Sequence, residues 1–283
     1  MGDDSGMKKS LIVVGPALSI SRCGERTRFA ISSLRKSNKY NLYLHNTNSP
    51  ESTWLSHNAP RRAYIDSLIE KTNKLNEKFE ADISLQVCMP HEFKVYSKIN
   101  IGYTSGSPTN RVDEDWIVAS NMMNGIIVPS EHSKGTFMHT NGYKAKMNEA
   151  PRVVALPDSL MNISDINEES ILKIKNNLKM LKDMEYNFLT VAQTTARENV
   201  FNLVKWFLGK FSGNENISLT LNIHGKNFST VDKFNTVEKI SNFINQLYPK
   251  KKCKVNILHG SLTREEASYL YRSGIFTHYL CAS

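Results

Sequence analysis

The chain is short of cysteine and of long apolar runs, and each scarcity removes a class of function. Its four cysteines, Cys23, Cys88, Cys253 and Cys281, are scattered with no close pair. That spacing argues against a disulfide framework or a zinc knuckle and leaves reduced, structural thiols, so no metal is expected. No window holds the roughly 18 consecutive apolar residues that a membrane span needs. The start, MGDDSGMKKS, is acidic and polar rather than a signal peptide, and Gly6 stands where a myristoylation signal wants Ser or Thr. No G-x-G-x-x-G follows the first apolar run, which sets aside a dinucleotide-dependent dehydrogenase. A cytoplasmic protein is expected.

What is present describes an ordinary globular chain with an excess of positive charge. Its 283 residues exceed what one core usually serves, so two domains are expected, each able to bury a sizeable core. Apolar residues make up 40% and charged residues 22%, which argues against disorder beyond the first few positions. The net charge of +9 implies attraction to something anionic: nucleotides, nucleic acid, or a membrane face carrying acidic lipids, so peripheral membrane contact stays open. The basic residues are spread along the chain, and the densest run, PKKKCK at 249–254, reads as a solvated turn before a strand.

Apolar runs of strand length alternate with segments of helical period. Strands are expected at 11–15, 42–45, 83–87, 99–103, 125–129 and 153–156, with helices at 25–37, 61–79, 113–123 and 130–140 between them. Runs such as Leu11-Ile12-Val13-Val14 and Ile126-Ile127-Val128 suit strands buried on both faces, which belong to parallel sheets flanked by helices. Residues 1–158 therefore read as a doubly wound, Rossmann-like α/β domain. Ligands in such a domain bind at the carboxyl ends of the strands, which directs attention to the loops after Val14, Val87, Tyr103 and Val128.

Turn chemistry at Pro157-Asp158-Ser159 and a highly charged helix-period stretch mark residues 159–185 as a connecting segment. The alternation then restarts over 186–283, with strands at 188–191, 219–223, 255–258 and 277–281 and helices at 198–211, 231–248 and 263–272. Val200, Leu203, Val204, Phe207, Leu208 and Phe211 recur at helical spacing. Two such halves make a cleft between them the default ligand site.

Three stretches carry a resemblance: the loop, strand and Ser-capped helix within 100–137 (NIGYTSGSPTNRVDEDWIVASNMMNGIIVPSEHSKGTF), Ala192-Gln193-Thr194-Thr195-Ala196-Arg197-Glu198-Asn199, and His259-Gly260-Ser261-Leu262-Thr263. Their order and spacing resemble glycosyltransferases of the GT-B fold, especially family 4-like enzymes of bacteriophages and bacteria. The resemblance implies an α/β protein of two Rossmann-like domains, the first holding an acceptor and the second a nucleotide-sugar. The implied reaction passes a sugar to an acceptor hydroxyl with retention, with no essential metal and no cofactor beyond the nucleotide-sugar co-substrate. The acceptor class, whether glycan, protein or DNA, stays open.

The resemblance also assigns roles. Arg197 matches a basic residue that clamps donor phosphate, which suits the planar, bidentate guanidinium. Glu198 stands where such enzymes usually carry Lys, placing a like charge beside a diphosphate. Lys226, after the strand at 219–223, is a second phosphate candidate, with His224 a weaker neighbour. In the first half, Gly24 replaces part of a glycine-rich loop and would let a helix start approach a ligand, with Ser21 and Arg22 beside it. Gly106 lies in an acceptor-side loop in which Pro108 replaces a Glu found in the phage enzymes. His132 follows the N-cap Ser130 and faces the same edge. His91, beside Glu92 in the loop after the strand at 83–87, is the candidate for orienting or deprotonating an acceptor hydroxyl, because an imidazole suits proton transfer near neutrality.

Such enzymes continue past the strand at 277–281 with a glycine-rich loop and a helix bearing two glutamates on one face. The sequence stops at Ser283, so an incomplete second domain is expected. Three functions remain: a nucleotide-sugar-dependent glycosyltransferase, a non-catalytic relative that binds a nucleotide, glycan or partner chain, and a DNA-modifying glycosyltransferase.

Overall fold

The computed structural model describes residues 8–48, 53–59, 61–76, 78–105, 109–140, 152–155, 168–260 and 262–282. The chain divides into two compact units, Met1–Asp158 and Ser159–Ser283.

The first unit is built on six parallel strands: β1 (Lys9–Gly15), β2 (Tyr40–Asn46), β3 (Ala81–Val87), β4 (Ser97–Tyr103), β5 (Gly125–Val128) and β6 (Arg152–Ala155). They lie in the order β2-β1-β3-β4-β5-β6. Helices α1 (Arg22–Ser37), α2 (Arg62–Asn73), α3 (Glu114–Ser120) and α4 (Glu131–Met138) connect them. The apolar runs become strands because both faces are covered. Leu11, Val13, Leu42, Leu44, Leu85 and Val87 pack with Ile31 of α1 and Ile65 of α2, while Ile126 and Val128 pack with Ile117 of α3 and Phe137 of α4. Each such side chain contributes about 1.5–3 kcal/mol by leaving water.

Polar caps set the helix starts: Ser21 accepts from the Gly24 amide, Asp113 from Asp115 and Ser130 from Ser133. The strands start earlier than the apolar runs do. Ala81 pairs with Ser97 in the ladder, and the Ser10 amide and hydroxyl both donate to the Asp82 carboxylate, so polar residues at the strand starts are satisfied across the sheet. Helix α2 ends six residues before the expected 79, because the Leu75 amide turns back to the Thr72 carbonyl.

The second unit repeats the plan with β7 (Tyr186–Gln193), β8 (Ile217–His224), β9 (Lys254–Leu258) and β10 (His278–Tyr279), all parallel in the order β10-β7-β8-β9. Its helices are α5 (Glu168–Asn177), α6 (Val200–Phe211), α7 (Thr230–Leu247) and α8 (Arg264–Arg272). Successive residues of β7 serve opposite faces, as strand geometry requires. Phe188 joins Val204, Leu208 and Ile240 of α6 and α7, whereas Leu189 joins Ile171 and Ile174 of α5 and Leu270 of α8. The helix within the expected connecting segment is thus packed into the second unit: Ile171, Ile174, Leu178 and Leu181 are all buried. Its charged outer face had hidden that stripe in the sequence.

None of the four cysteines is in a disulfide. Burial, reinforced by Glu92 and Cys23, pushes the Cys88 thiol up to about 12, and burial raises Cys253 as well, so neither is a ready nucleophile at neutral pH. Cys281 is exposed. Iodoacetamide is therefore expected to label Cys281 first in the native protein, and Cys88 and Cys253 only on unfolding; equal labelling of all four, read by mass spectrometry, would contradict this packing. Among the described residues no helix is long and apolar enough to cross a membrane, and no cluster of His, Cys, Asp and Glu has the placement of a metal site.

Candidate functional site

In a doubly wound sheet the ligand crevice opens where the strand order reverses, outside the carboxyl ends of the strands. In the first unit the chain leaves β1 towards β2 and returns on the other side as β3, so that point lies between β1 and β3. The β1–α1 loop is held by the protein itself. The Ser19 amide donates to the Pro16 carbonyl at 3.0 Å, the Leu18 amide to Asn46 Oδ1 at 3.1 Å, and Arg28 Nη1 to the carbonyls of Ala17 and Ser19 at 2.8 and 2.6 Å. Gly24 sits in the first turn of α1 against this loop, where a Cβ would stand 2.1 Å from the Ser19 carbonyl oxygen and 2.9 Å from that of Pro16. The missing side chain of Gly24 thus makes room for the loop's own backbone.

His91 follows β3, exposed in a single 3-10 turn, Pro90–Glu92. The adjacent Glu92 carboxylate accepts the Met89 amide at 3.0 Å, so it holds the turn together. His132 is exposed at the second position of α4, after β5. It lies two strands beyond β3 in the sheet, about 10 Å along its edge. Gly106 and Pro108 fall outside the described residues.

In the second unit the order reverses between β7 and β10. The turn after β7 is tied to the end of β8: Thr194 donates its amide and hydroxyl to the His224 carbonyl, and Gln193 Nε2 donates to the Gly225 carbonyl at 2.9 Å. These bonds bring the turns carrying Arg197 and Lys226 to one edge. Arg197 is 69% exposed and its Nη2 lies 2.7 Å from Glu198 Oε1. Helix α6 starts at Val200, two residues later than expected, behind a left-handed Asn199 with φ 51°. Glu198 is therefore not in the first helical turn but before it, where it holds the Arg197 guanidinium.

The Lys226 side chain is exposed, but its backbone is committed. The amides of Gly225 and Lys226 donate to Asp232 Oδ2 and Oδ1 at 2.8 and 2.9 Å. His259, at the end of β9, places Nε2 2.8 Å from the same carboxylate, and its side chain is 1% exposed. A carboxylate only accepts, so Nε2 carries the hydrogen. Burial works against the ionised Asp232, yet the His259 hydrogen bond and the two amides outweigh it and hold the carboxyl below its ordinary value. Sequence reasoning missed this trio. Ser229 and Asp232 have helix-cap spacing, and Ser229 Oγ does accept the Asp232 amide at 3.1 Å, but the Asp232 carboxylate turns to the preceding loop. The backbone amides that could cradle a phosphate after β8 are thus satisfied internally, leaving the Arg197 and Lys226 side chains as the cations from these two turns.

The chain matches no family model, and no curated protein matches it. It is similar to solved structures described as trehalose-6-phosphate from E. coli bound with UDP-2-fluoro glucose (12% identity, TM-score 0.55, covering 96% of this chain and 78% of that one) and trehalose-6-phosphate synthase OtsA (12%, 0.54, 96% and 78%). It is also similar to the N-terminal domain of Candida albicans trehalose-6-phosphate phosphatase (10%, 0.52, 100% and 78%). At such identities the likeness concerns the fold, and with the two parallel sheets it gives this chain an α/β architecture of two Rossmann-like units, the GT-B class expected from the sequence.

Proposed function

We propose that the chain is a family 4-like glycosyltransferase that moves a sugar from a nucleotide-sugar to an acceptor hydroxyl, with retention and without an essential metal. The observation that supports this reading is the tie between the turn that leads to Arg197 and the turn that carries Lys226, through Thr194 and Gln193, at the carboxyl edge of the second unit's parallel sheet. A departing diphosphate needs cations fixed at the place where its charge develops. Here Arg197 and Lys226 would hold the donor phosphates, and His91, in the turn after β3, would orient the acceptor hydroxyl. Gly24, Gly106 and His132 belong to the acceptor side of the same reading. One of the similar structures is bound with UDP-2-fluoro glucose, which makes a uridine nucleotide the first donor to try.

Glu198 sets the test, because it competes with a diphosphate for Arg197. Glu198→Gln is expected to tighten UDP-glucose binding about threefold or more, and Arg197→Ala to weaken it about tenfold, the range of one charge-assisted bond. Calorimetry reads both. The absence of heat and of donor hydrolysis with both UDP-glucose and GDP-mannose would sink the transferase reading for this chain.

A second reading is a protein that binds its nucleotide or glycan without turning it over. It draws on the same pairing of Arg197 with Glu198 and on the Gly225 and Lys226 amides being occupied by Asp232. Donor binding without hydrolysis or transfer would favour it. A DNA acceptor would require binding to duplex DNA that weakens steeply with salt.

A further inference from the structure

Helices α1 and α2 line an open groove of about 310 Å3, within the size of small-molecule sites. Its rim carries four cations, Arg28, Arg35, Lys36 and Arg61, and no carboxylate lines it. Among the described residues none of the four is ion-paired. Arg28 is half-buried and anchored through Nη1 to the β1–α1 loop, and burial lowers its pKa, so its charge is held there against a desolvation cost. Arg61 joins the two walls by donating from Nη1 to Ser32 Oγ at 2.9 Å.

Beneath the rim the groove is apolar. Ile31 and Ile65 are each 2% exposed, and the Tyr64 ring lies beside them with the Arg35 guanidinium 4.0 Å from its centroid. Arg35 and Lys36 also suit the carboxyl end of α1, where a helix favours cations. Arg28 is held by the Ala17 and Ser19 carbonyls and favoured by the charge of Glu25, but neither reason covers Arg61 at the start of α2, where the helix dipole disfavours a cation. Glu25 acts on Arg28, yet four like charges around one apolar trough still repel one another and favour an anion among them.

We propose that this groove binds a phosphate ester, with the phosphate on the guanidinium and ammonium rim and the apolar part of the ester on Ile31, Ile65 and Tyr64. Guanidinium groups bind phosphate through paired hydrogen bonds, and the lysine adds a point charge. The site is independent of sugar transfer, and it would hold whether or not Arg197 binds a nucleotide. A soluble ester and an anionic lipid headgroup share this chemistry, so the experiment carries both.

The full chain is titrated with phenyl phosphate by calorimetry, and with phosphatidylcholine vesicles that contain or lack phosphatidic acid by sedimentation. The test variant is Arg35→Gln with Lys36→Gln, both exposed positions. A matched variant, Lys205→Gln with Lys210→Gln on α6, removes the same charge from the second unit. Binding of either probe that falls tenfold or more in the groove variant and less than twofold in the matched variant supports the proposal, and the probe that binds identifies the source of the phosphate. Equal losses in the two variants reduce the effect to net charge and overturn it, as does failure of the native chain to bind either probe. UDP-glucose binding measured in parallel is expected to survive the groove substitutions.

Discussion

Gly24→Ala is expected to cost the first unit about 3 kcal/mol, at the upper end of what overpacking a fitted site usually costs. The added methyl would stand 2.1 Å from the Ser19 carbonyl oxygen and 2.9 Å from that of Pro16, both backbone atoms in a loop that cannot simply swing aside. Ser19 accepts Arg28 Nη1 at 2.6 Å, and the Leu18 carbonyl accepts the Leu55 amide at 2.7 Å. Making room means shifting the loop by an ångström or more and breaking the Arg28 anchor, which leaves a half-buried guanidinium short of its acceptors. A loss of that size lowers the melting temperature of a unit this large by about 6–12 °C.

The comparison that isolates the clash is Gly213→Ala. A Cβ there meets nothing within 4 Å and the backbone is not left-handed, so the substitution is expected to be neutral or stabilising by a few tenths of a kcal/mol. Urea unfolding of both variants checks the pair. A Gly24→Ala protein as stable as Gly213→Ala would mean that the β1–α1 loop is not packed as described.

The sheets were legible because burial on both faces leaves a mark that neighbouring residues carry on their own. Leu11 to Val14 and Ile126 to Val128 need no distant partner to be recognised as strands, and the observed β1 and β5 contain them. Ser130 was legible as a cap for the same reason, since it accepts an amide three residues ahead, whereas α1 starts at Arg22 behind Ser21, three residues before the expected 25. The site was legible only in part. Arg197 and Lys226 could be picked out as cations after strands, but the Arg197 guanidinium is held by Glu198, a pairing that depends on α6 starting at Val200 rather than at Glu198. Asp232 serves partners six and seven residues before it and 27 after it, so no local pattern could reveal the trio. The connecting segment misled for a different reason: a stripe of four buried aliphatics is sparse beside the charged residues that surround it.

Asp232→Ala is expected to cost the second unit about 3 kcal/mol, because one truncation strands three donors at once. The Gly225 and Lys226 amides lose a charged acceptor, and the His259 imidazole, whose side chain is 1% exposed, keeps a buried N–H with no partner. Asp232→Asn should cost less, about 1–2 kcal/mol, since one oxygen can still accept while the amide nitrogen faces donors. The two variants also separate by pH. The folded carboxyl titrates below its ordinary value, so the stability it contributes is present above the unfolded carboxylate pKa, about 4, and is lost as pH falls through the lower folded value. The gap between the native chain and Asp232→Asn should therefore be full at pH 7 and close progressively below about pH 4. Hydrogen exchange of the β8 and β9 amides confines the readout to this unit, and a gap that stayed constant down to pH 2 would show that the carboxylate's charge is not what holds the loop. The trio also limits what the loop after β8 can do for a donor: with both amides committed, a phosphate there must be met by the Lys226 ammonium. Removing Asp232 would exchange a stiff loop with one cation for a looser loop with two free amides. Stability and anion binding are then expected to move in opposite directions in Asp232→Ala, a result that a purely structural carboxylate would not give.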